Sequence, residues 1–340
     1  MNGAGSARHG IDRSFKMALI GDDLTAACLP QVCDTRHLHP LIATWTLRRY
    51  RPQVLFVEST WAGLGNRWKY KIASYPDHPE RNNRVLARLV KRARDLGIVT
   101  VFWNKEDGVH FERFIDSASL FDVVLTVDEN CLPRYRERLG VNVKLGVLPF
   151  AVLPSIHHPV TGGPPLRRAN FAGSYSRHIH DRRRGWQDML FHAARPLGLT
   201  VYDRNSSRKA EHYRYPPLPW MDVRPAVPYE RTADIYRQHA LSINVNTVED
   251  SATMFSRRLV EIIACGGLAL TPPSPAVSRY FADYCLVVHN ASEAREAMAR
   301  IARDGLSRQD RERARAGADY VLRHHTWAHR LQDIQRIVAP

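Results

Sequence analysis

Short apolar runs rich in β-branched residues punctuate the first half of the chain: residues 16–21 (KMALIG), 53–58 (QVLFVE), 98–103 (IVTVFW) and 122–127 (DVVLTV). Each has the length of a strand buried on both faces. Between the second and third runs, residues 83–96 place Val85, Leu86, Leu89, Val90, Ala93 and Leu96 on one stripe and stop at Gly97. That spacing predicts an amphipathic helix with its C-terminal signal. Strand, helix and strand in this order imply right-handed βαβ units and a parallel sheet. A further strand at 144–149 closes the half.

A Pro/Gly cluster at 157–166 (HHPVTGGPPL) has the composition of a domain junction. Beyond it the alternation resumes, with strands predicted at 169–173, 199–203, 241–245, 268–271 and 285–288. Helices are predicted at 181–195, 229–239, 256–265 and 292–304, then at 307–325 and 326–338. The pattern gives two Rossmann-like, doubly wound α/β domains. The expected division is a flexible tail at 1–15, one domain at 16–160, a second at 161–320 and a terminal helical segment at 321–340. A length of 340 residues suits two cores of ordinary size.

Composition narrows the class rather than the function. Apolar residues make up 44% and charged residues 24%, ordinary for a soluble globular protein. No apolar run is long enough to span a bilayer, and the polar, Gly-rich start lacks a signal-peptide core. Five cysteines without a CxxC pair predict reduced thiols and a cytoplasmic setting. Lys and Arg number 49 against 34 Asp and Glu, a net charge of +15. That balance fits an anionic partner, whether nucleotide phosphate, polyanionic glycan, nucleic acid or acidic membrane, or equally an Arg-rich solvated surface.

Ligands of doubly wound sheets bind beyond the carboxyl ends of the strands. In the second half, residues 241–267 (LSINVNTVEDSATMFSRRLVEIIACGG) run from a strand through a polar loop to a helix with Arg257 and Arg258 in its first turn. Helix starts offer unpaired N–H groups suited to phosphate. Two cations there are unfavourable by about 0.3–1 kcal/mol each unless an anion sits in front of them. Glu261 shares their face, so arginine for a diphosphate and a carboxylate for ribose hydroxyls is a coherent set. The competing reading is a solvated helix face with an i,i+4 ion pair. Upstream, Gly173 and Ser174 allow close backbone approach to a ligand, Arg177 adds charge, and Arg182 to Arg184 read as a solvated basic face.

In the first half, the third strand leads into Asn104, Lys105, Glu106, Asp107 and His110, the second ends at Glu58 and Trp61, and the first ends at Asp22. Carboxylates, a histidine and an aromatic at neighbouring strand ends are candidates for general-base work or for binding hydroxyl groups. His178-x-His180 and the His157–His158 pair lack a third metal ligand at useful spacing. There is no GxGxxG, P-loop or GxSxG motif.

Taken together, the motifs at 241–267, TPPSPAVSRYF at 271–281, FAGSY at 171–175, HHTWAHR at 324–330, VLFVESTW at 54–61, VFWNKEDGVHF at 101–111 and LPRYRE at 132–137 resemble the group 1 glycosyltransferases of the spore-maturation-protein (CgeB-like) type. The likeness covers nearly the whole chain after residue 15. It implies a GT-B fold: two Rossmann-like domains facing across a cleft, donor held mainly by the second, acceptor mainly by the first, and a terminal helix crossing back to the first. By this resemblance Arg257 and Arg258 neutralise the donor diphosphate and Glu261 holds its ribose. Ser174, Tyr175 and Arg177 line the phosphate site, and Tyr202, Asp203 and Arg204 border the base. The loop residues Asn246, Thr253, Met254 and Phe255 complete the donor pocket. Asp22, Glu58, Trp61, Asn104 and Lys105 lie on the acceptor side, with Glu106, Asp107 or His110 as base. One departure concerns the sugar. Many retaining members carry two glutamates seven residues apart, and here the first position is Thr253. Sugar recognition therefore passes to Asn246, Glu249, Asp250 or loop amides, and the stereochemical outcome stays open.

The expectation is a metal-independent hexosyltransferase with no cofactor beyond its nucleotide-sugar substrate, acting in polysaccharide biosynthesis. Its acceptor would be a surface glycan, a lipid-linked glycan or another hydroxyl, with peripheral contact to the anionic inner membrane face. Nucleic acid is disfavoured as a partner because the basic residues are spread over both halves. The rival readings are a basic nucleic-acid-binding protein, a non-catalytic GT-B scaffold and a nucleotide-sugar epimerase of the same fold.

Overall fold

The structure, a computed structural model, describes residues 12–339. The chain divides into two compact units, one running to Pro149 and resuming at Trp327, the other spanning Phe150–Thr326. In the first, β1 (Asp12–Ile20), α1 (Asp23–Cys28), β2 (Cys33–His37), α2 (Ala43–Tyr50), β3 (Val54–Glu58), α3 (Arg84–Asp95), β4 (Val99–Asn104), α4 (Phe111–Ala118), β5 (Val123–Thr126), α5 (Leu132–Leu139) and β6 (Lys144–Val147) follow in turn. The strands form a six-stranded parallel sheet in the order β2-β1-β3-β4-β5-β6. Strand β3 is buried at every position, and α3 turns Leu86, Leu89, Val90 and Ala93 inward, as its stripe predicts.

The second unit comprises β7 (Leu166–Gly173), α6 (Asp181–Ala193), β8 (Leu199–Asp203), β9 (Met221–Pro225), α7 (Thr232–Gln238), β10 (His239–Ile243), α8 (Arg257–Ala264), β11 (Ala269–Thr271), α9 (Pro275–Tyr280), β12 (Cys285–Val287), α10 (Ala291–Asp304) and α11 (Arg308–His324). Its sheet is also six-stranded and parallel, in the order β12-β11-β10-β7-β8-β9. The last helix, α12 (Trp327–Val338), belongs to the first unit. There the Trp327 ring meets Trp103 edge-on at 5.7 Å, and Arg330 Nε donates to Pro149 O at 2.9 Å.

Each sheet reverses its strand order once, between β1 and β3 in the first unit and between β7 and β10 in the second. At such switch points the crossovers leave on opposite sides, opening a crevice above the strand ends.

Several elements depart from the sequence reading. Residues 12–15, expected in the tail, begin β1, because Asp12 N donates to Val32 O at 2.8 Å and Gln335 Nε2 to Asp12 Oδ2 at 2.9 Å. The rest of that tail, 1–11, lies outside the described residues. The 157–166 cluster lies inside the second unit rather than between units, tied to it by Arg237, which donates to Ile156 O and His158 O. Strands β2 (CDTRH) and β9 (MDVRP) were not predicted. Both are polar edge strands with little burial, so no apolar run marks them.

Candidate functional site

At the switch point of the second unit, three arginines from distant parts of the sequence gather beside the ends of β7 and β8. Arg258, in the first turn of α8, folds back over β7: its Nε donates to Ala172 O at 2.6 Å and its guanidinium lies 4.4 Å above the Phe171 ring. Glycine at 173 makes this possible, since a Cβ there would fall 2.7 Å from the Phe171 ring and 2.9 Å from Arg258 Nη2. The space read from sequence as room for a ligand is thus filled by a guanidinium. Arg183, from α6, donates to Ser174 O at 3.0 Å, and Arg204 follows β8 with its backbone N–H on Gly173 O at 2.8 Å.

The charge gathered in this corner is mainly cationic, with the buried Asp203 carboxylate as its acidic neighbour at Tyr215. Burial first, and Arg183 and Arg204 beside it, push Arg258 down to about 10, and burial likewise lowers Arg183. Arg258 Nη1, Arg183 Nε and the Tyr215 hydroxyl are buried without a hydrogen-bond partner. Neither Arg258 nor Arg183 forms an ion pair among the described residues. Helix α8 opens beside them with Ser256 as its N-cap, and the Ser256 side chain makes no capping bond. Unpaired donors, cationic charge and an uncapped helix start together make a site short of an anion.

Arg257, one residue earlier, turns elsewhere. Its Nε stands 3.2 Å from Glu261 Oε1 and its guanidinium 5.8 Å over the Tyr229 ring. Successive helix positions point about 100° apart, so the pair divides between two places instead of converging. Glu261 is buried, its Oε1 lacks a hydrogen bond, and the ring of the fully buried His157 lies 4.0 Å away. Burial lowers the His157 pKa and keeps that ring neutral beside the carboxylate.

Other expected donor residues serve the fold. Tyr175 is a core residue whose hydroxyl donates to Asp188 at 2.8 Å, which removes it from a phosphate site. Phe255 is buried against Phe281 and His325. Tyr202 packs in the same core, and the buried Asp203 accepts from Asn205 N at 2.8 Å. Asn246 accepts from Ser256 N at 2.9 Å and donates to Ser274 at 3.3 Å, so it shapes the loop into α8. Thr253 is buried and Met254 half-buried, both with backbone N–H on Ser251 Oγ. Arg177 is exposed, and its carbonyl accepts from Arg184 at 2.7 Å. Of the basic triplet, Arg182 is exposed and pairs with Glu249 at 2.8 Å, while Arg183 turns inward, contrary to the solvated face read for all three.

In the first unit the strand ends hold two buried polar groups. Lys105 lies between Asp22 and Glu58, donating to Glu58 Oε1 at 2.9 Å, and Thr25 Oγ1 donates to Glu58 Oε2 at 2.5 Å. Burial drives the Glu58 pKa up to about 7, with Asp22 adding to the rise and Lys105 opposing it. Asp107 is fully buried, accepting from Asn104 at 2.7 Å and from Tyr135 at 2.9 Å, and burial pushes its pKa to about 7. Glu58, Asn104 and Asp107 therefore face the interior and not an acceptor, a correction to their expected role. Each is satisfied inside the unit, Glu58 by Lys105, Thr25 and the backbone of Asp22, and Asp107 by Asn104 and Tyr135.

Trp61 and His110 are different. With Tyr75, Asp77, His78 and Arg113 they line a cavity of about 260 Å³ within this unit. Trp61 is partly exposed, meeting His110 edge-on at 5.2 Å and Tyr75 at 6.2 Å. Burial lowers the His110 pKa, with Arg113 adding to the fall and Glu106 opposing it. Glu106 is half-buried at the same loop, its N–H 3.2 Å from Asn104 Oδ1. The sequence reading missed Tyr215, Tyr75 and Arg113, and it gave Arg183 and His157 other roles, the one in a solvated basic face and the other in a histidine pair without a third metal ligand. Arg183 carried a signal as the middle of a basic triplet at the start of a helix after β7, whereas Tyr215, Tyr75 and Arg113 carried none.

Residues 178–336 match the family model described as glycosyl transferase-like. No curated protein matches the chain. Among solved structures, an alpha-glucosyltransferase in complex with UDP and a 13-mer DNA superposes with a TM-score of 0.64 at 8% identity, covering 97% of this chain and 100% of that one. A sucrose-phosphate synthase from Thermosynechococcus elongatus gives 0.57 at 14% identity, covering 95% and 98%. A UDP-forming trehalose-phosphate synthase from Burkholderia xenovorans gives 0.53 at 11%, covering 88% and 78%. These likenesses establish the two-domain GT-B fold, and residues 178–336 are similar to a glycosyl transferase-like family.

Proposed function

We propose that the protein transfers a sugar from a nucleoside-diphosphate sugar to a hydroxyl acceptor, with the donor diphosphate bound by Arg258, Arg183 and Arg204. The observation that carries this reading is the pair of buried, unpartnered guanidinium N–H groups on Arg258 and Arg183 beside the uncapped start of α8. A buried donor left unmade costs about 1–3 kcal/mol, so the free protein holds a penalty that a bound anion removes. Glu261 lies one turn further along α8, paired with Arg257 at 3.2 Å, and we assign its carboxylate to the hydroxyls of the ribose. A relative in fold is complexed with UDP, which supports a nucleoside diphosphate as the anion.

As the glycosidic bond breaks, negative charge grows on the leaving diphosphate. Fixed guanidinium groups and a helix start meet that charge without reorganising, and so lower the barrier without a metal. The acceptor is assigned to the cavity at Trp61, whose ring can stack on the C–H face of a sugar. His110 is the base: its lowered pKa keeps it neutral near pH 7, able to take the acceptor proton. Glu106 remains the other candidate, and the interior Asp107 is set aside.

Thermal-shift screening against UDP-, GDP-, TDP- and CMP-sugars, followed by product analysis, tests the assignment. One nucleoside-diphosphate sugar is expected to raise the melting temperature and to yield nucleotide on addition of acceptor. An isomerised donor in the absence of acceptor would replace transfer with epimerisation. Absence of any nucleotide effect, with salt-dependent oligonucleotide binding instead, would refute the reading.

A further inference from the structure

The first unit carries a surface that neither the donor site nor the Trp61 cavity uses. Leu41, Ile42 and Trp45 are 88%, 53% and 66% exposed, three large apolar side chains within five residues. They stand at the start of α2, whose opposite face buries Ala43 and Leu47 in the core. The exposed three therefore add little to that core. Arg48, Arg49 and Arg51 follow on the same segment, all exposed, and no Asp or Glu occurs in the sequence between Asp34 and Glu58.

We propose that this tip docks on an anionic lipid bilayer. Apolar side chains at a tryptophan-bearing helix start, followed by exposed arginines, match the two layers of such a surface. The nearest acidic residue in the sequence, Asp34, meets the far end of α2, where its carbonyl accepts from the Tyr50 hydroxyl at 2.7 Å. Trp45 would lie at headgroup depth, Leu41 and Ile42 just below it, and the arginines would meet lipid phosphates. A side chain as exposed as Leu41 projects nearly free, which suits a soft interface better than a flat protein partner. The segment is also held in place beforehand. Leu38 N donates to Leu19 O at 2.9 Å, and Trp68 Nε1 donates to Leu38 O at 2.9 Å. Docking then requires little ordering of the backbone. No helix among the described residues is long and apolar enough to cross a membrane, so the contact is one of lying on the surface.

Flotation of the full chain with phosphatidylcholine vesicles, with and without phosphatidylglycerol, decides the matter. The protein is expected to float with the anionic vesicles only, and less as salt rises. The triple variant Leu41→Ser, Ile42→Ser, Trp45→Ser should bind about tenfold or more weakly at unchanged melting temperature. Arg48→Glu with Arg49→Glu should bind as poorly, whereas the same charge change at the exposed Arg303 and Arg308 of the second unit should have little effect. Equal binding to neutral vesicles, or a triple variant that floats like the parent, would overturn the proposal. So would a parent that ignores vesicles but self-associates in sedimentation until the three residues are changed. Donor binding plays no part in this assay, so its outcome is separate from that of the transferase reading.

Discussion

Replacing Arg258 by methionine separates a ligand-binding role from a structural one. The guanidinium is held down to about 10 from an ordinary 12.5, and at neutral pH it stays charged both folded and unfolded. The folded state therefore carries the whole penalty, on the order of 3 kcal/mol. Against this stand two favourable contacts: the hydrogen bond to Ala172 O, about 1.5–3 kcal/mol, and the approach to the Phe171 face, about 0.5–2 kcal/mol. The opposing contributions nearly cancel, and methionine keeps most of the apolar packing. The free variant should match the parent in denaturant stability to within about 1 kcal/mol. Binding should behave otherwise. Two lost charge-assisted bonds to a diphosphate, at the low end of their range, amount to about 3 kcal/mol, or roughly a hundredfold in Kd. Urea titration of the free protein and calorimetric titration with the nucleoside diphosphate found in screening measure the two effects. Large destabilisation with unchanged affinity would mean that Arg258 is a fold residue, and the proposed donor site would fail.

Three further outcomes follow from the same geometry. Gly173→Ala should destabilise the fold by about 1–3 kcal/mol and weaken nucleotide binding together, because its Cβ collides with both Phe171 and Arg258 Nη2; calorimetry and binding on one sample check this. Glu261→Gln should weaken a nucleoside diphosphate about tenfold while leaving inorganic pyrophosphate unaffected, and equal losses for both ligands would remove the ribose contact. Asp107 ionises near 3.8 when unfolded and only near 7 in the fold, so the native state keeps a proton that the unfolded chain has released. Its contribution is full below about pH 4 and is lost as the pH rises to 7, by up to about 4 kcal/mol. Asp107→Asn should flatten that slope in urea titrations between pH 4 and 7, leaving the part due to Glu58, and parallel pH profiles for variant and parent would refute the account.

The pattern of apolar positions was enough to determine the alternation of strands and helices, because a strand buried on both faces and a helix with one apolar stripe leave local, periodic marks. The runs at 53–58 and 98–103 and the stripe on α3 are such marks, and the polar edge strands β2 and β9 left none. The same local reading brought Arg258, Glu261, Trp61 and His110 into view as residues beyond strand ends. What it could not determine was the direction of long side chains or the burial of polar ones, since both depend on neighbours distant in the chain. Arg258 and Arg183 are separated by 75 positions and meet only because β7 lies between the elements that carry them. Arg257, adjacent in sequence, turns toward Glu261 and His157, and Glu58 and Asp107 disappear into the first unit. Tertiary packing decided which charges are left without partners, and unpartnered buried charge is the physical property that marks a binding site.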